Sequence, residues 1–162
     1  MKINGVKKVL LIIIALFSLQ SCESEDEFIL HSGNYLLFGH FYGECFGEYC
    51  IEIFKIEDGV LYEDKKDTYP SGSTAYIGDF VKLDQQLYEK VSDIVKAIPE
   101  ELLNTDSGSI GCPDCADGGG IYIEVRQDGE SQYWMIDQEL SKIPGHLHPL
   151  VKKAQEKVAL LQ

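Results

Sequence analysis

The sequence predicts an α+β domain: an antiparallel sheet made from two strand-strand-helix units, with the helices packed on one face. Two Asp-Gly pairs, Asp58-Gly59 and Asp128-Gly129, each lie between apolar stretches of strand length. Downstream of each pair the apolar residues shift to helical spacing. The halves also match: Cys50-Ile51-Glu52-Ile53 before the first pair answers Tyr122-Ile123-Glu124-Val125 before the second.

Taken in order, residues 34–42 (N-Y-L-L-F-G-H-F-Y) are aromatic-rich and predict a strand, which the segment from Gly43 to Gly47 interrupts. Residues 49–56 and 60–64 predict a hairpin, because Asp58-Gly59 supplies the positive backbone angles a two-residue turn requires. Residues 65–78 read as a connection rich in Pro, Gly, Ser and Thr, with a short strand expected at 74–77. Leu83, Leu87, Val91, Ile94, Val95 and Ile98 then fall on one face of a helix, with Asp84 as its N-cap and Pro99 as its stop. A long polar loop is expected over 104–120. Ile121, Ile123 and Val125 share one face of the next strand, and residues 131–136 return from the second turn. A last helix is expected near Pro149, burying Leu150, Val151, Ala154, Val158 and Leu161.

Each unit has one apolar sheet face and one apolar helix stripe, so joining the two closes a shared core. The arrangement resembles the strand-strand-helix repeats of β-lactamase-inhibitor-type envelope domains. That resemblance implies a topology and carries no activity with it.

The N-terminus carries an address. Lys2, Lys7 and Lys8 precede an apolar run from Val9 to Leu19, well short of the roughly 20 residues needed to span a bilayer. Leu19-Gln20-Ser21-Cys22 follows and resembles the lipobox of bacterial lipoproteins. The resemblance implies a signal peptide over 1–21 and lipidation of Cys22, by a diacylglyceryl thioether and an acylated amine such as a palmitoyl amide. At about 0.8 kcal/mol per buried methylene, several chains anchor firmly where one does not. Glu23-Ser24-Glu25-Asp26-Glu27 has no apolar partner and reads as part of a solvated acidic tether over 22–33, ahead of a single domain at 34–162. The same run is similar to the acidic signal of surface-exposed lipoproteins of Bacteroidota. Cys45-Phe46-Gly47, the Asp-Gly hairpin and the helix ending at Ile98-Pro99 resemble uncharacterised lipoprotein domains of that group that carry C-F-G-x-C-P. Here the second cysteine, Cys50, comes one residue later and Ile51 stands in place of the proline. Together these resemblances imply a lipid-anchored protein of the outer membrane, on its periplasmic face or at the cell surface. Its partners would be the membrane, through the anchor, and an envelope protein.

The 162 residues hold 27 acidic and 14 basic side chains, a net charge of −13, and loss of three lysines with the leader would take it to −16. Phosphate backbones and anionic headgroups are repelled by such a surface, which disfavours nucleic acid and favours cations or basic protein surfaces.

Beyond Cys22 four cysteines remain: Cys45 and Cys50 in C-F-G-E-Y-C, and Cys112 and Cys115 in C-P-D-C. An even number suits an exported, disulfide-stapled domain. They can pair in three ways, and spacing alone does not choose among them. Local pairs are the expectation; cross-pairing would contribute roughly 4 kcal/mol or more of loop entropy. Thiol-disulfide chemistry would need Cys112 at a helix start, yet Asp117-Gly118-Gly119-Gly120 leads into a strand and Asp114 opposes a thiolate. A four-thiolate zinc site is the other chemical reading, with one well-spaced knuckle and one loose one.

Weaker constellations read as structure. His146 and His148 lie beside Gly145 and Pro149 at a helix entry, and Asp137 and Glu139 do not complete a recognisable metal set. Asp114, Asp117 and the glycines after them could offer oxygens to Ca²⁺, without the EF-hand order of ligands. Tyr35, Phe38, Phe41, Tyr42, Phe46 and Tyr49 form an aromatic cluster that reads as the core of a small sheet, the alternative being a face that binds a ligand or protein. The sequence carries no phosphate-binding glycine loop, dinucleotide fingerprint or nucleophile elbow. The expectation is therefore a binding or structural module with no catalytic residues and no cofactor. The alternative is a metal or thiol-disulfide enzyme built on Cys112-Pro113-Asp114-Cys115.

Overall fold

A computed structural model of the chain describes residues 28–162. Seven strands form one sheet: β1 (Tyr35–Phe41), β2 (Ile51–Glu57), β3 (Val60–Asp64), β4 (Phe80–Lys82), β5 (Gly108–Ile110), β6 (Gly120–Gln127) and β7 (Glu130–Asp137). Their spatial order is β4-β3-β2-β1-β6-β7-β5. β1 is the centre, with one hairpin on each side, so the two halves are arranged about it as the matching sequence stretches predict. The hairpins close at Glu57 opposite Val60 and at Gln127 opposite Glu130. Asp58, Gly59, Asp128 and Gly129 all take positive φ, as two-residue hairpin turns of this kind require.

Helix α1 (Gln85–Val91) starts where Asp84 caps it, accepting a 2.7 Å hydrogen bond from the Gln86 N–H. It tightens into a 3-10 turn over Ser92–Ala97, which keeps Ile94 in the core. After Pro99 comes the short α2 (Glu100–Leu103), whose Leu102 is buried. Helix α3 (His148–Leu161) has Pro149 in its first turn and buries Leu150, Val151, Ala154 and Val158, while Leu161 packs at the edge. The helices cover the sheet face that carries Leu36, Phe38, Phe54, Ile56, Ile121, Ile123, Trp134 and Ile136. Phe28 joins this core and Leu30 packs against it, so the packed chain already includes residues ahead of β1.

The structure corrects three expectations. The sheet is mixed rather than purely antiparallel, because β5 lies parallel to β7 inside the predicted 104–120 loop. Its three residues carry little strand signal of their own; they pair with Trp134–Ile136 of β7, which also anchors the segment leading in through Gln132 Nε2 to the Leu103 carbonyl, Trp134 Nε1 to the Asp106 carbonyl and Tyr133 N–H to Ser107 Oγ. The short strand before the first helix lies at Phe80–Lys82 and not at 74–77, where Tyr76 is instead turned onto the sheet. And both faces of the sheet are covered. Leu37, Phe41, Ile53, Tyr122 and Met135 form a second, smaller core on the face away from the helices, under the segment that carries Tyr69 and Tyr76.

Candidate functional site

β1 ends at Phe41, which pairs with Ile51 at the start of β2 and with Gly120 at the start of β6. The loops over 42–50 and 111–119 therefore leave the same end of the sheet. Each is closed by a local disulfide: Cys45 to Cys50, with Cα atoms 5.6 Å apart, and Cys112 to Cys115, with Cα atoms 5.5 Å apart.

Asp114 joins the two loops. Its Oδ2 accepts hydrogen bonds of 2.9 Å from the Gly43 N–H and of 2.9 Å from the Tyr69 hydroxyl. Its Oδ1 accepts one of 2.9 Å from the Gly119 N–H, and its own N–H donates to the Gly119 carbonyl at 2.7 Å. Asp114 takes φ 59°, a left-handed angle that Asp and Asn tolerate better than most residues. Gly119 is also left-handed, and the Tyr42 ring occupies the space its Cβ would need, so only glycine fits there. Tyr69 rests edge-on against Phe41, with ring centroids 5.2 Å apart. Burial and then the Asp114 carboxylate push the Tyr69 hydroxyl up to about 12, so it is a donor throughout the physiological range.

Asp137 at the end of β7 braces the second loop from behind, accepting from the Cys112 N–H at 3.1 Å and from the Glu139 N–H at 2.8 Å. A cleft of about 560 Å³ opens beside it, between Tyr42, Cys112, Gly119, Gln138, Glu139 and Lys142. Glu139 and Lys142 are paired at 2.8 Å on its exposed rim.

The first loop presents its aromatics outward. Phe46 is 100% exposed and Tyr49 62% exposed, while Cys50 between the loop and β2 is buried. His40 Nε2 donates to the Tyr49 carbonyl at 3.0 Å, and burial lowers the His40 pKa against the raising effect of that bond. The predicted aromatic set thus divides: Phe38 and Phe41 are core, Tyr35 and Tyr42 are half-buried, and Phe46 and Tyr49 face solvent.

The chemical alternatives fare differently in this geometry. Cys112 precedes no α-helix; only a three-residue 3-10 turn over Cys115–Asp117 follows, with Ala116 at a left-handed angle. Asp114 is surrounded by N–H and O–H donors, which serve a carboxylate and cannot ligate Ca²⁺. His148 Nε2 bonds the Ile143 carbonyl at 3.3 Å within the helix entry, as the sequence suggests. Among the described residues, no three His, Cys, Asp or Glu side chains are grouped as metal ligands.

One buried polar network was not anticipated. Glu124 is fully buried and accepts from the Tyr35 and Tyr122 hydroxyls, each at 2.7 Å, and from the Tyr76 N–H at 2.8 Å. The Tyr76 hydroxyl donates to buried Asp64 at 2.6 Å. This network fixes the segment that covers the second sheet face. The Tyr-x-Glu spacing at 122 and 124, which puts both side chains on the face opposite Ile121 and Ile123, is the one signal that pointed to it.

No protein-family model matches the chain, and no curated protein matches it. The expected signal peptide over 1–21, Cys22 and the acidic run to Glu27 lie outside the described residues. Among the described residues, no helix is long and apolar enough to cross a membrane.

Proposed function

We propose that this chain is a non-catalytic, lipid-anchored protein of the bacterial envelope whose disulfide-braced end binds another envelope protein. Cys22 holds it to the outer membrane, and the acidic run after Cys22 spaces the domain from the lipid. The observation that carries the reading is Phe46, fully exposed at the tip of a loop closed by one disulfide and tied through Asp114 to a second closed loop. A large aromatic presented to solvent on a closed loop has no folding role, and exposed aromatics are what binding hot spots are made of. Placement supports it as well. Residues 28–34 lead into the start of β1, and the disulfide loops lie past its other end, seven residues or about 20 Å away. The proposed binding end therefore lies opposite the point where residues 28–34 enter the sheet. Local disulfides suit an oxidising compartment and agree with the address.

Metabolic labelling with palmitate tests the anchor: the native chain takes up label and Cys22→Ala does not. A photo-crosslinking residue placed at position 46 tests the binding end. It should give a discrete crosslinked species in intact envelopes that the same residue at position 130, on the far hairpin, does not give. Label in neither chain removes the anchor; equal products from both positions remove the binding end.

A further inference from the structure

We propose that the disulfide-braced end docks an arginine-rich segment of its partner, with guanidinium groups stacking on Phe46 and Tyr49 and pairing with the carboxylates around them; this rests on the binding end named above. Three features of that end converge on this chemistry.

First, the aromatic faces are offered and held. Phe46 and Tyr49 are both exposed on a ring closed between Cys45 and Cys50. The ring is fixed at its base by His40 on the Tyr49 carbonyl and by Gly43 on Asp114. Tyr42 continues the surface: its ring lies 5.2 Å from His40 and against Gly119, at the mouth of the 560 Å³ cleft. The closed ring limits the backbone ordering that binding requires.

Second, the exposed charge on the loops at this end of the sheet is mostly negative. Glu44 and Asp117 are exposed, and among the described residues no cation pairs with either. Glu139 is held on the exposed rim by Lys142 at 2.8 Å and by the Ser141 hydroxyl at 2.7 Å, and the ion pair is one that an incoming cation can exchange at small cost. The whole chain adds a net −13, which steers basic partners toward it and anionic ones away.

Third, arginine fits the combination better than lysine. The planar guanidinium lies flat on an aromatic ring while its N–H groups reach a carboxylate, whereas an ammonium is a strongly hydrated point charge. A lipid surface is the poorer occupant, because anionic headgroups meet the same negative field.

The test uses the mature lipidated chain, from Cys22 onward, in neutral detergent micelles at about 0.15 M salt, titrated against a fluorescent peptide of alternating arginine and glycine. Anisotropy should show saturable binding that Phe46→Ala weakens about tenfold and Glu44→Gln weakens several-fold. Glu130→Gln, at the far hairpin, should leave it unchanged, and the matching lysine peptide should bind less tightly. Because Phe46 is wholly exposed, its variant should keep the native unfolding midpoint and both disulfides by mass; Glu44→Gln provides the same comparison if it does not. Equal affinities for Phe46→Ala, Glu130→Gln and the native chain would mean attraction by net charge alone and overturn the proposal. So would equal binding of the two peptides, or preferential binding to vesicles containing phosphatidylglycerol. Peptide affinity does not depend on acylation of Cys22, so failure here leaves the palmitate result standing, and the reverse holds.

Discussion

At Asp114 three donors from three separate stretches of chain, Gly43, Tyr69 and Gly119, meet one carboxylate. Hydrogen bonds to an ionised acceptor contribute roughly 1.5–3 kcal/mol each when shielded, and less where water competes, as it does at exposed Gly43. Replacement by alanine removes the acceptor and also forces a residue with Cβ but no compensating polar group into a left-handed angle. Asp114→Ala should therefore lower the unfolding free energy by about 2–3 kcal/mol. Asp114→Asn keeps one acceptor oxygen and tolerates the angle, so its loss should be smaller, about 1 kcal/mol. Urea titration of the two variants checks the order; equal losses would show that the single oxygen Asn retains contributes nothing. Glu124 is a counterpart on the covered face. It too gathers three donors, but it is fully buried and serves packing, whereas Asp114 sits at the half-exposed junction that positions the binding loops.

Among the elements, the two closed loops differ in what their disulfides hold. Both rings are short, and the chain-entropy model gives about 2 kcal/mol for rings of this size. Cys112 and Cys115 are exposed, whereas Cys50 is buried at the foot of β2. Cys112→Ser/Cys115→Ser should then cost no more than about 2 kcal/mol, and Cys45→Ser/Cys50→Ser should cost more, because it also places a hydroxyl in a buried site. Thermal unfolding of the two double variants decides it, and the reverse order would show that the second loop carries the greater constraint. The elements also show what the sequence could and could not reveal. Both hairpins were legible because Asp-Gly leaves the backbone few alternatives, and α1 and α3 because a cap or a first-turn proline coincides with a 3.6-residue apolar period. β5 was not legible, since three residues held by pairing to a strand more than twenty residues on have no periodicity to read. Local pairing of the cysteines was readable as an expectation. The outward turn of Phe46 was not, because an aromatic between two cysteines fits a core equally well until the ring's direction is known.

For the whole molecule, the tyrosine-carboxylate contacts and the few paired cations set a stability profile with two declining limbs. On the alkaline side, burial first and a neighbouring carboxylate second raise the hydroxyls of Tyr69, Tyr76 and Tyr122 above their ordinary value, through Asp114, Asp64 and Glu124 respectively. A pKa raised by folding means stability that is complete below the unfolded value, about 10, and is lost as pH climbs through the folded values. Tyr69 is the first of the three to be lost, at about 12. On the acid side the sign reverses. Burial lowers the pKa of His40, so its contribution is complete above about 6.5 and fades as pH falls through the lowered value. At Asp93 burial alone would raise the carboxyl, but the bonds from Lys153 and Lys157 outweigh it and hold it below the ordinary range. Those bonds tie α3 to the turn after α1, and they are lost as pH falls through that lowered value. Urea midpoints measured across pH should therefore form a plateau from about 6.5 to about 10. A shallow decline from His40 should come first on the acid side, with a steeper one at more acid pH. Tyr69→Phe should blunt the alkaline limb without moving the acid one, and His40→Gln should do the opposite. An alkaline limb of unchanged steepness in Tyr69→Phe would mean that the Tyr69–Asp114 bond does not couple the strap over the second face to the disulfide-braced end, and that the two loops are positioned by their backbones alone.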